Sequence, residues 1–350
     1  MDWPSIVSCS LQGEAISREE ALNILTLPDD EVPFALRAAF EVRKTAYGKR
    51  VKICVLQNAR SGLCSEDCHY CSQSAVSTAK IAKYPLLPVD QLIEGARRAS
   101  EAGAKRYCMV TSGRGPSDQD ITHLCEATRA IRSRYPVEVC VSLGIMTEAQ
   151  ARQLKEAGVG WVNHNLNTSE RYHPNICTTH TYQDRITTVR AVQRAGLHTC
   201  SGGIVGMGET DEDLVELAFA LRELDVNSLP VNFLHPIPGT PLETSHELTP
   251  MKCLKVLCLF RFLNPKSDLR AAGGREVNLR SLQPLALYPA NSIFVEGYLT
   301  TPGQAAQAAV QMVRDMGFEV EELPQMTQSY RGTTDHTEKF SVRSVVLRNI

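Results

Sequence analysis

The stretch Val51–Cys71 reads VKICVLQNARSGLCSEDCHYC, in which an apolar, β-branched run leads into three closely spaced cysteines. Val51–Leu56 has the composition of a buried β-strand. The residues after it are more polar and contain glycine, which is typical of a loop. Cys64, Cys68 and Cys71 form the pattern C-x3-C-x2-C. These three thiols are therefore expected on the loop that follows the first strand.

Short apolar runs alternate with segments of helical period along most of the chain. The predicted strands are Val51–Leu56, Arg106–Thr111, Val137–Leu143, Trp161–Asn165, His198–Val205, Leu229–Leu234, Asp268–Ala272 and Ser292–Val295. Between them, Thr147–Gln150 has the form of a capping box, and Thr249–Pro250 is an N-cap followed by proline. Eight β/α units close a TIM-type barrel, whereas a doubly wound open sheet normally has fewer strands. We therefore predict an α/β fold of the (β/α)8 barrel type.

The barrel is expected to span residues 51–322, with an extension at each end. Residues 1–50 contain two predicted helices, at Arg18–Leu25 and around Pro33–Tyr47, which would cap the barrel. Residues 323–350 are mostly polar and aperiodic, which predicts a flexible tail with one short strand at Ser341–Leu347.

The composition argues against several classes of protein. A net charge of -2 and a pI near 6.5 give no electrostatic footprint for nucleic acid or anionic lipid. No apolar run is long enough to span a membrane, and the amino terminus lacks the pattern of a secretory signal, so we expect a cytoplasmic protein. In a reducing compartment, the 12 cysteines would serve metal binding, catalysis or packing rather than disulfides.

The cysteine loop predicts an iron–sulfur site. Three thiolates at this spacing can hold three corners of a [4Fe–4S] cube, which leaves one iron open to a small molecule. A structural zinc site on Cys68 and Cys71 is the alternative, but such a site needs a second tight pair of ligands, and none follows. The motif resembles that of the radical S-adenosylmethionine superfamily. The resemblance implies that S-adenosylmethionine chelates the open iron and is cleaved to a 5′-deoxyadenosyl radical, with Tyr70 near the adenine.

The glycine-rich stretch Gly202–Gly208 ends the fifth predicted strand and leads into a helix. Its spacing does not match the dinucleotide fingerprint G-x-G-x-x-G. By itself, the stretch could be a tight β-to-α turn. Beside the cysteine motif, the resemblance to the radical superfamily implies that the stretch lets the backbone approach the adenosine, with Ile204 and Val205 in contact with the cofactor.

Three further cysteines fall on separate predicted strands: Cys108, Cys140 and Cys200. Side chains on a barrel strand alternate between the lumen and the outer layer, so all three can point inward at similar height. A free cysteine is more often a small buried hydrophobe, which is the alternative for each one taken singly. For the three together, a second cluster is the sharper hypothesis. The remaining cysteines are expected to be structural or incidental: Cys9, Cys54, Cys125, Cys177, Cys253 and Cys258.

These cysteines, with Asn163-His-Asn165 and Arg270, resemble matching segments of the biotin synthase family between about Ala35 and Pro302. The resemblance implies that Cys108, Cys140, Cys200 and Arg270 hold a [2Fe–2S] cluster, which donates sulfur to dethiobiotin. Arg275 is a near neighbour, and the choice of Arg270 rests on the family match. No side chain is expected to act as a catalytic residue, since the radical chemistry belongs to the clusters and the cofactor.

The same resemblance implies binding residues and partners. Asn163, Asn165 and Asn232 would orient the ureido ring, because amides offer both donors and acceptors. Asn165, Asn167 and Arg185 would contact S-adenosylmethionine, although some relatives carry aspartate where this chain has Asn167. The asparagines could instead form a hydrogen-bonded polar layer of the barrel. A flavodoxin or ferredoxin would supply electrons, and the protein would be a homodimer. Two rivals stay open: another radical enzyme, such as a methylornithine-synthase-like mutase or a hydrogenase-maturation protein, and a non-catalytic iron–sulfur protein.

Overall fold

The protein is described by a computed structural model that covers residues 1–323. Its centre is a closed parallel barrel with the strands β1 (Arg50–Arg60), β2 (Arg106–Thr111), β3 (Glu138–Ser142), β4 (Trp161–Asn163), β5 (His198–Cys200), β6 (Gly203–Val205), β7 (Ser228–Phe233), β8 (Asp268–Ala271) and β9 (Ser292–Val295). Pairing of β1 with β9 closes the ring. Because β5 and β6 both pair with β7, they share one of eight strand positions. The predicted (β/α)8 barrel is therefore confirmed.

The fifth strand differs from its prediction as one continuous run, His198–Val205. It ends at Cys200 and resumes at Gly203. The break follows from a close approach of two backbones, since a Cβ on Gly202 would lie 1.9 Å from the Pro230 carbonyl oxygen. Only glycine tolerates this contact. The interruption changes the direction of the backbone immediately after Cys200.

The helices are α1 (Trp3–Gln12), α2 (Arg18–Leu25), α3 (Val32–Tyr47), α4 (Val89–Glu101), α5 (Asp118–Arg134), α6 (Glu148–Glu156), α7 (Tyr182–Arg194), α8 (Asp211–Glu223), α9 (Pro250–Leu263), α10 (Arg275–Leu279) and α11 (Ala306–Asp315). Four consecutive barrel helices, α5 to α8, begin with reciprocal capping boxes at Ser117, Thr147, Thr181 and Thr210. Each box satisfies backbone donors that a helix start leaves free, which fixes where the loop above the strand ends.

The amino-terminal helices cover one side of the barrel. Helices α1, α2 and α3 all pack against α9. Every residue of α9 from Cys253 to Leu263 is buried, as expected for a helix that has protein on all sides. Cys253 and Cys258 lie in this packing core, in agreement with their predicted structural role.

The base of the barrel is closed by charged side chains and one aromatic ring. Asp268 lies 3.2 Å from the Lys52 ammonium and 3.5 Å from the Arg106 guanidinium. The Arg106 guanidinium also stacks 3.5 Å from the centre of the Trp161 ring. These groups fill the amino-terminal ends of the strands, so the free space of the lumen lies toward the carboxyl ends, where active sites of this fold are found.

After the barrel, α11 leads into the short strand β10 (Glu319–Val320), which pairs with the start of β1. Apart from residue 323, the predicted flexible tail and its strand at Ser341–Leu347 lie outside the described residues. Among the described helices, none combines the length and apolar character that a membrane crossing requires.

Candidate iron–sulfur and cofactor site

One cavity of about 290 Å³ opens at the carboxyl ends of the strands. Its volume is just below the range for small-molecule sites, which begins at about 300 Å³. Both predicted sets of cysteines line it: Cys64, Cys68, Cys71, Cys108, Cys140 and Cys200. The sequence placed these thiols on one loop and three strands, and the fold brings them to a single space.

The loop after β1 holds the first set. Cys68 is buried, whereas Cys64 and Cys71 are partly exposed. The Cys71 amide donates to the Cys68 carbonyl over 3.2 Å, which forms a tight turn. The Gln73 side chain accepts from the Gly62 amide at 3.0 Å, and the His69 amide donates to Ile176 at 2.9 Å. These bonds tie the loop to itself and to the segment after β4.

The second set lies deeper in the lumen. Cys108 and Cys140 are directly opposite each other on β2 and β3, and Cys200 is opposite Asn163 across β5 and β4. A hydrogen bond to Cys140 and burial both raise the pKa of the Cys108 thiol. Metal binding at this site must therefore displace a proton from a buried thiol, as thiolate ligation always requires.

Arg270 reaches the second set from β8. Its guanidinium is 3.6 Å from the Cys200 sulfur, and it donates to the Ser292 hydroxyl at 3.0 Å. Burial opposes the Arg270 charge, but Cys54 and the other acidic neighbours raise its pKa well above the ordinary value. Arg275 does not line this cavity and donates instead to the Phe294 carbonyl at 3.1 Å. The geometry thus separates the two arginines that the sequence could not distinguish without the family match.

The asparagines have different environments. Asn163 donates to Asn165 at 3.1 Å and to the Cys200 sulfur at 3.3 Å, so the Asn163 amide links Asn165 to the second cysteine set. Asn232 donates to the Gly203 carbonyl and accepts from the Gly273 amide, each at 3.0 Å. Asn232 lines the cavity, but its amide already joins neighbouring strands and has the contacts of a structural polar layer.

The predicted cofactor residues lie together beside the first loop. Arg185 donates to the Asn165 carbonyl at 2.9 Å. With its amide oxygen turned inward, Asn167 accepts from Arg185 at 3.1 Å and from the Tyr70 hydroxyl at 2.6 Å. Asn167 has a φ of 72°, a left-handed conformation that asparagine adopts more readily than most residues. Asn167 therefore orients both Tyr70 and Arg185.

The glycine-rich stretch forms a sharp turn between β6 and α8. Gly206 and Gly208 have φ values of 98° and 99°. The Glu209 carboxylate accepts from the Gly206 and Met207 amides at 2.6 and 2.7 Å, while burial raises its pKa. Ile204 lines the cavity, whereas the Val205 side chain packs into the outer core. Of these two predicted contacts, only Ile204 faces the site with its side chain.

Comparison with known proteins agrees with this geometry. Residues 60–221 match the Radical SAM superfamily, and residues 230–319 match the Biotin and Thiamin Synthesis associated domain. The chain is 53% identical to the biotin synthase of Halalkalibacterium halodurans, over 95% of this chain and 100% of that protein. It is 52% identical to the biotin synthase of Anoxybacillus flavithermus, over 93% of this chain and 98% of that protein. The chain belongs to the biotin synthase family.

Solved structures show how widely this fold is shared beyond biotin synthase. Methylornithine synthase superposes with a TM-score of 0.80 at 18% identity, over 91% of this chain and 98% of that one. The FeFe-hydrogenase maturase HydG from Carboxydothermus hydrogenoformans gives 0.77 at 18% identity, over 94% and 81%. At this identity the likeness shows the fold alone. The sequence comparison therefore favours biotin synthase over these two rivals.

His164 lies between two predicted binding residues of this biotin synthase family member and has no predicted role of its own. His164 lines the cavity, and its Nε2 atom is buried without a hydrogen-bond partner. Burial and the nearby charge of Arg185 lower its pKa well below the ordinary value. His164 is thus a neutral imidazole with one free nitrogen at the site. Its position between Asn163 and Asn165 was the one sequence signal that could have placed His164 at the site.

Two cysteines described as structural or incidental lie against the two sets in this biotin synthase family member. Cys54 is fully buried and packs with Cys108 and Cys140, its sulfur 3.6 Å from the Ser292 hydroxyl. Cys177 lies with its sulfur 3.7 Å from that of Cys68. In the sequence, Cys54 lies two residues before Leu56, which lines the cavity from β1, and Cys177 is followed by His180 in the spacing C-x2-H.

Proposed function

We propose that the chain converts dethiobiotin to biotin by radical sulfur insertion, as a sulfurtransferase with residues 51–322 as its catalytic barrel and residues 1–50 and 323–350 as extensions. The observation that carries this proposal is the presence of two cysteine sets, and of Arg270, around one cavity. A single set would fit many radical enzymes. A second thiol set deep in the same lumen fits a reaction in which sulfur has to be delivered to carbon.

The first loop would hold the [4Fe–4S] cluster through Cys64, Cys68 and Cys71. Three cysteines in one short loop fit this group, since they leave one iron for the cofactor. When bound there, the cluster and S-adenosylmethionine supply a 5′-deoxyadenosyl radical. Tyr70 and Arg185 would bind the cofactor.

The adenosine side of the cofactor would lie against β6. Arg185 has a buried Nε atom without a hydrogen-bond partner, which is available to a polar ligand. Asn165, Asn167, Ile204 and the backbone of Val205 would complete the cofactor site. Glu209 shapes this wall indirectly, because it holds the amides of the glycine turn.

The inner part of the lumen would hold the [2Fe–2S] cluster through Cys108, Cys140, Cys200 and Arg270. The donor set fits a sulfur-rich group, because three buried thiols face one buried guanidinium. This cluster would be the sulfur source. The chain's own part is to fix the guanidinium, to keep water out and to present the sulfur toward the substrate.

Dethiobiotin would occupy the slot between the two sets. Asn163 and Asn165 line this slot, and their amides can pair with the donors and acceptors of a ureido ring. Asn232 would border the ring while keeping its bonds to neighbouring strands. A flavodoxin or ferredoxin would supply electrons, the working unit would be a homodimer, and the free thiols would suit the reducing cytoplasm.

The test is the iron and sulfide content, with Mössbauer spectra, of anaerobically reconstituted wild type beside Cys140→Ala. We expect two cluster types in wild type and loss of the [2Fe–2S] signal alone in the variant. Cys125→Ala is a matched control, since Cys125 is a buried cysteine on α5 that does not line the cavity. A single [4Fe–4S] signal that Cys140→Ala leaves unchanged would rule out the second cluster, and with it this function.

A further inference from the structure

Cys177 and His180 lie in the segment between β4 and α7, next to one thiol of the first loop. The Cys177 sulfur is 3.7 Å from the Cys68 sulfur and 3.7 Å from Nε2 of His180. One ligand atom from each residue lies within 4.8 Å of the others, and all three residues are buried. Cys68 and Cys177 are 109 residues apart in sequence, so the fold alone creates this group.

These separations have the dimensions of a tetrahedral zinc site. With Zn–S near 2.3 Å and Zn–N near 2.0 Å, a tetrahedron has an S···S edge of about 3.8 Å and an S···N edge of about 3.5 Å. The corresponding distances from Cys177 to Cys68 and to His180 are both 3.7 Å. Two edges of the site thus have nearly tetrahedral lengths, and a ligand atom of His180 lies within 4.8 Å of the Cys68 sulfur.

The surroundings of His180 also suit a metal ligand. Its Nδ1 atom lies 2.5 Å from a carboxylate oxygen of Glu66 and 3.3 Å from the Cys177 sulfur, so a small turn of the ring would direct Nε2 to a metal while Nδ1 keeps its bond to Glu66. Glu66 is itself held by the Thr179 hydroxyl at 2.9 Å and by Arg114 at 3.3 Å. A carboxylate behind the histidine is the usual support of zinc-bound imidazole, because it fixes the ring and strengthens its donor nitrogen.

We propose that Cys68, Cys177 and His180 bind a single Zn²⁺ ion in the cluster-free protein, with the fourth position open to water. This inference rests on the proposed function, in which Cys68 is a ligand of the [4Fe–4S] cluster once that cluster has assembled. One thiolate cannot serve both groups, so zinc and the first cluster exclude each other. Zinc binds such ligands more tightly than ferrous iron, so zinc at this site delays cluster assembly.

The first experiment titrates reduced, anaerobic, full-length, cluster-free protein with Co²⁺, whose absorption reports tetrahedral thiolate coordination, and then displaces it with Zn²⁺. We expect one tetrahedral site per chain. Cys177→Ala, the milder Cys177→Ser and His180→Ala should each weaken binding at least 100-fold. Cys64→Ser is the matched control, since it removes a neighbouring thiol of the first loop and should retain the site.

The second experiment reconstitutes the same proteins with iron and sulfide. Cys177→Ala and Cys177→Ser should assemble the [4Fe–4S] cluster, whereas Cys64→Ser should not. Added zinc should slow assembly in wild type and leave Cys177→Ala unaffected. The two sets of variants thus separate the zinc site from the cluster site, and circular dichroism checks that each variant is folded.

Several results would overturn the zinc site. These are no tetrahedral Co²⁺ in wild type, binding that survives both Cys177 variants, or binding that requires Cys64. The last result would place the metal on the C-x3-C-x2-C loop instead. Failure of the proposed function has a different signature: wild type would take up no [4Fe–4S] cluster while the zinc titration gives the expected result.

Discussion

Replacing Asp268 by asparagine tests how the chain keeps a charged second site inside its barrel. The Asp268 Oδ2 atom faces three buried or nearly buried cations: Lys52 at 3.2 Å, Arg106 at 3.5 Å and Arg270 at 3.6 Å. Burial alone would raise the pKa of Asp268, but the three cations lower it below its usual range. The carboxylate is therefore ionised at neutral pH and balances part of this positive charge.

Asparagine has the same shape but no charge. Its amide oxygen can keep the bond from Asn291 to Oδ1, now 3.0 Å, and its nitrogen would then face the three cations. Removing one partner of a buried ion pair costs about 3–5 kcal/mol, because the remaining charges stay buried without compensation. We expect Asp268→Asn to fall in this range. It should also weaken binding of the second cluster, since Arg270 loses an anionic neighbour.

The assay is urea unfolding of full-length, cluster-free protein followed by circular dichroism. A loss of about 3 kcal/mol would lower the midpoint by about 1 M if the slope is about 3 kcal/mol/M. Glu148→Gln is the control, because Glu148 also contacts two arginines but on the surface. Its midpoint should match wild type, since exposed ion pairs contribute little.

The pH dependence has a defined sign. A lowered folded-state pKa means that the Asp268 contribution is complete above the unfolded value of about 3.9 and is lost as the pH falls through the folded pKa. The difference between wild type and Asp268→Asn should therefore be constant above about pH 5 and shrink below about pH 4. Equal midpoints for Asp268→Asn and wild type at pH 7 would refute this account of the barrel base.

Three further predictions concern the glycine-rich stretch after β5 and the predicted cofactor residue Arg185. Gly202→Ala should lose about 3 kcal/mol in unfolding free energy, because the new methyl group meets the Pro230 carbonyl. The control Gly160→Ala should be neutral or gain up to about 1 kcal/mol. Similar losses in both variants would contradict the explanation of the strand break. Arg185→Gln should weaken S-adenosylmethionine binding in equilibrium dialysis by at least about tenfold, the value of one charged hydrogen bond, and an unchanged Kd would remove Arg185 from the site. Glu209→Ala should speed amide hydrogen exchange in the glycine turn, which it holds through two backbone amides, and unaltered exchange would exclude that role.

The fold was largely predictable because its signals are local. Each strand is a short apolar run, and several helix starts carry their own cap, as at Thr147 and Thr249. The break within the predicted strand His198–Val205 was not predictable, because it depends on how closely Gly202 approaches Pro230 on another strand. Contacts between distant segments leave no periodic trace in a sequence.

The candidate site shows the same limit. The spacing of Cys64, Cys68 and Cys71 predicts the first cysteine set. The equivalent positions of three other cysteines on three strands predict the second. Cys177 and His180 form a tight Cys-x2-His pair in the sequence, but no local signal connects this pair with Cys68, which it approaches only after the segment beyond β4 folds over the first loop. A zinc site on Cys68 and Cys71 was disfavoured in sequence for want of a second ligand pair. The group found in the structure is a different one, which joins Cys68 without Cys71 to Cys177, 109 residues away, and to His180.

The most direct test of the central claim follows the sulfur atom. Protein reconstituted with isotopically labelled sulfide would be freed of loose sulfide and given S-adenosylmethionine, a reductant and dethiobiotin for a single turnover. The account predicts biotin that carries the label in wild type and no biotin in Cys140→Ala, while 5′-deoxyadenosine forms in both. Unlabelled biotin, or labelled biotin from Cys140→Ala, would contradict a sulfur donor held by the second cysteine set.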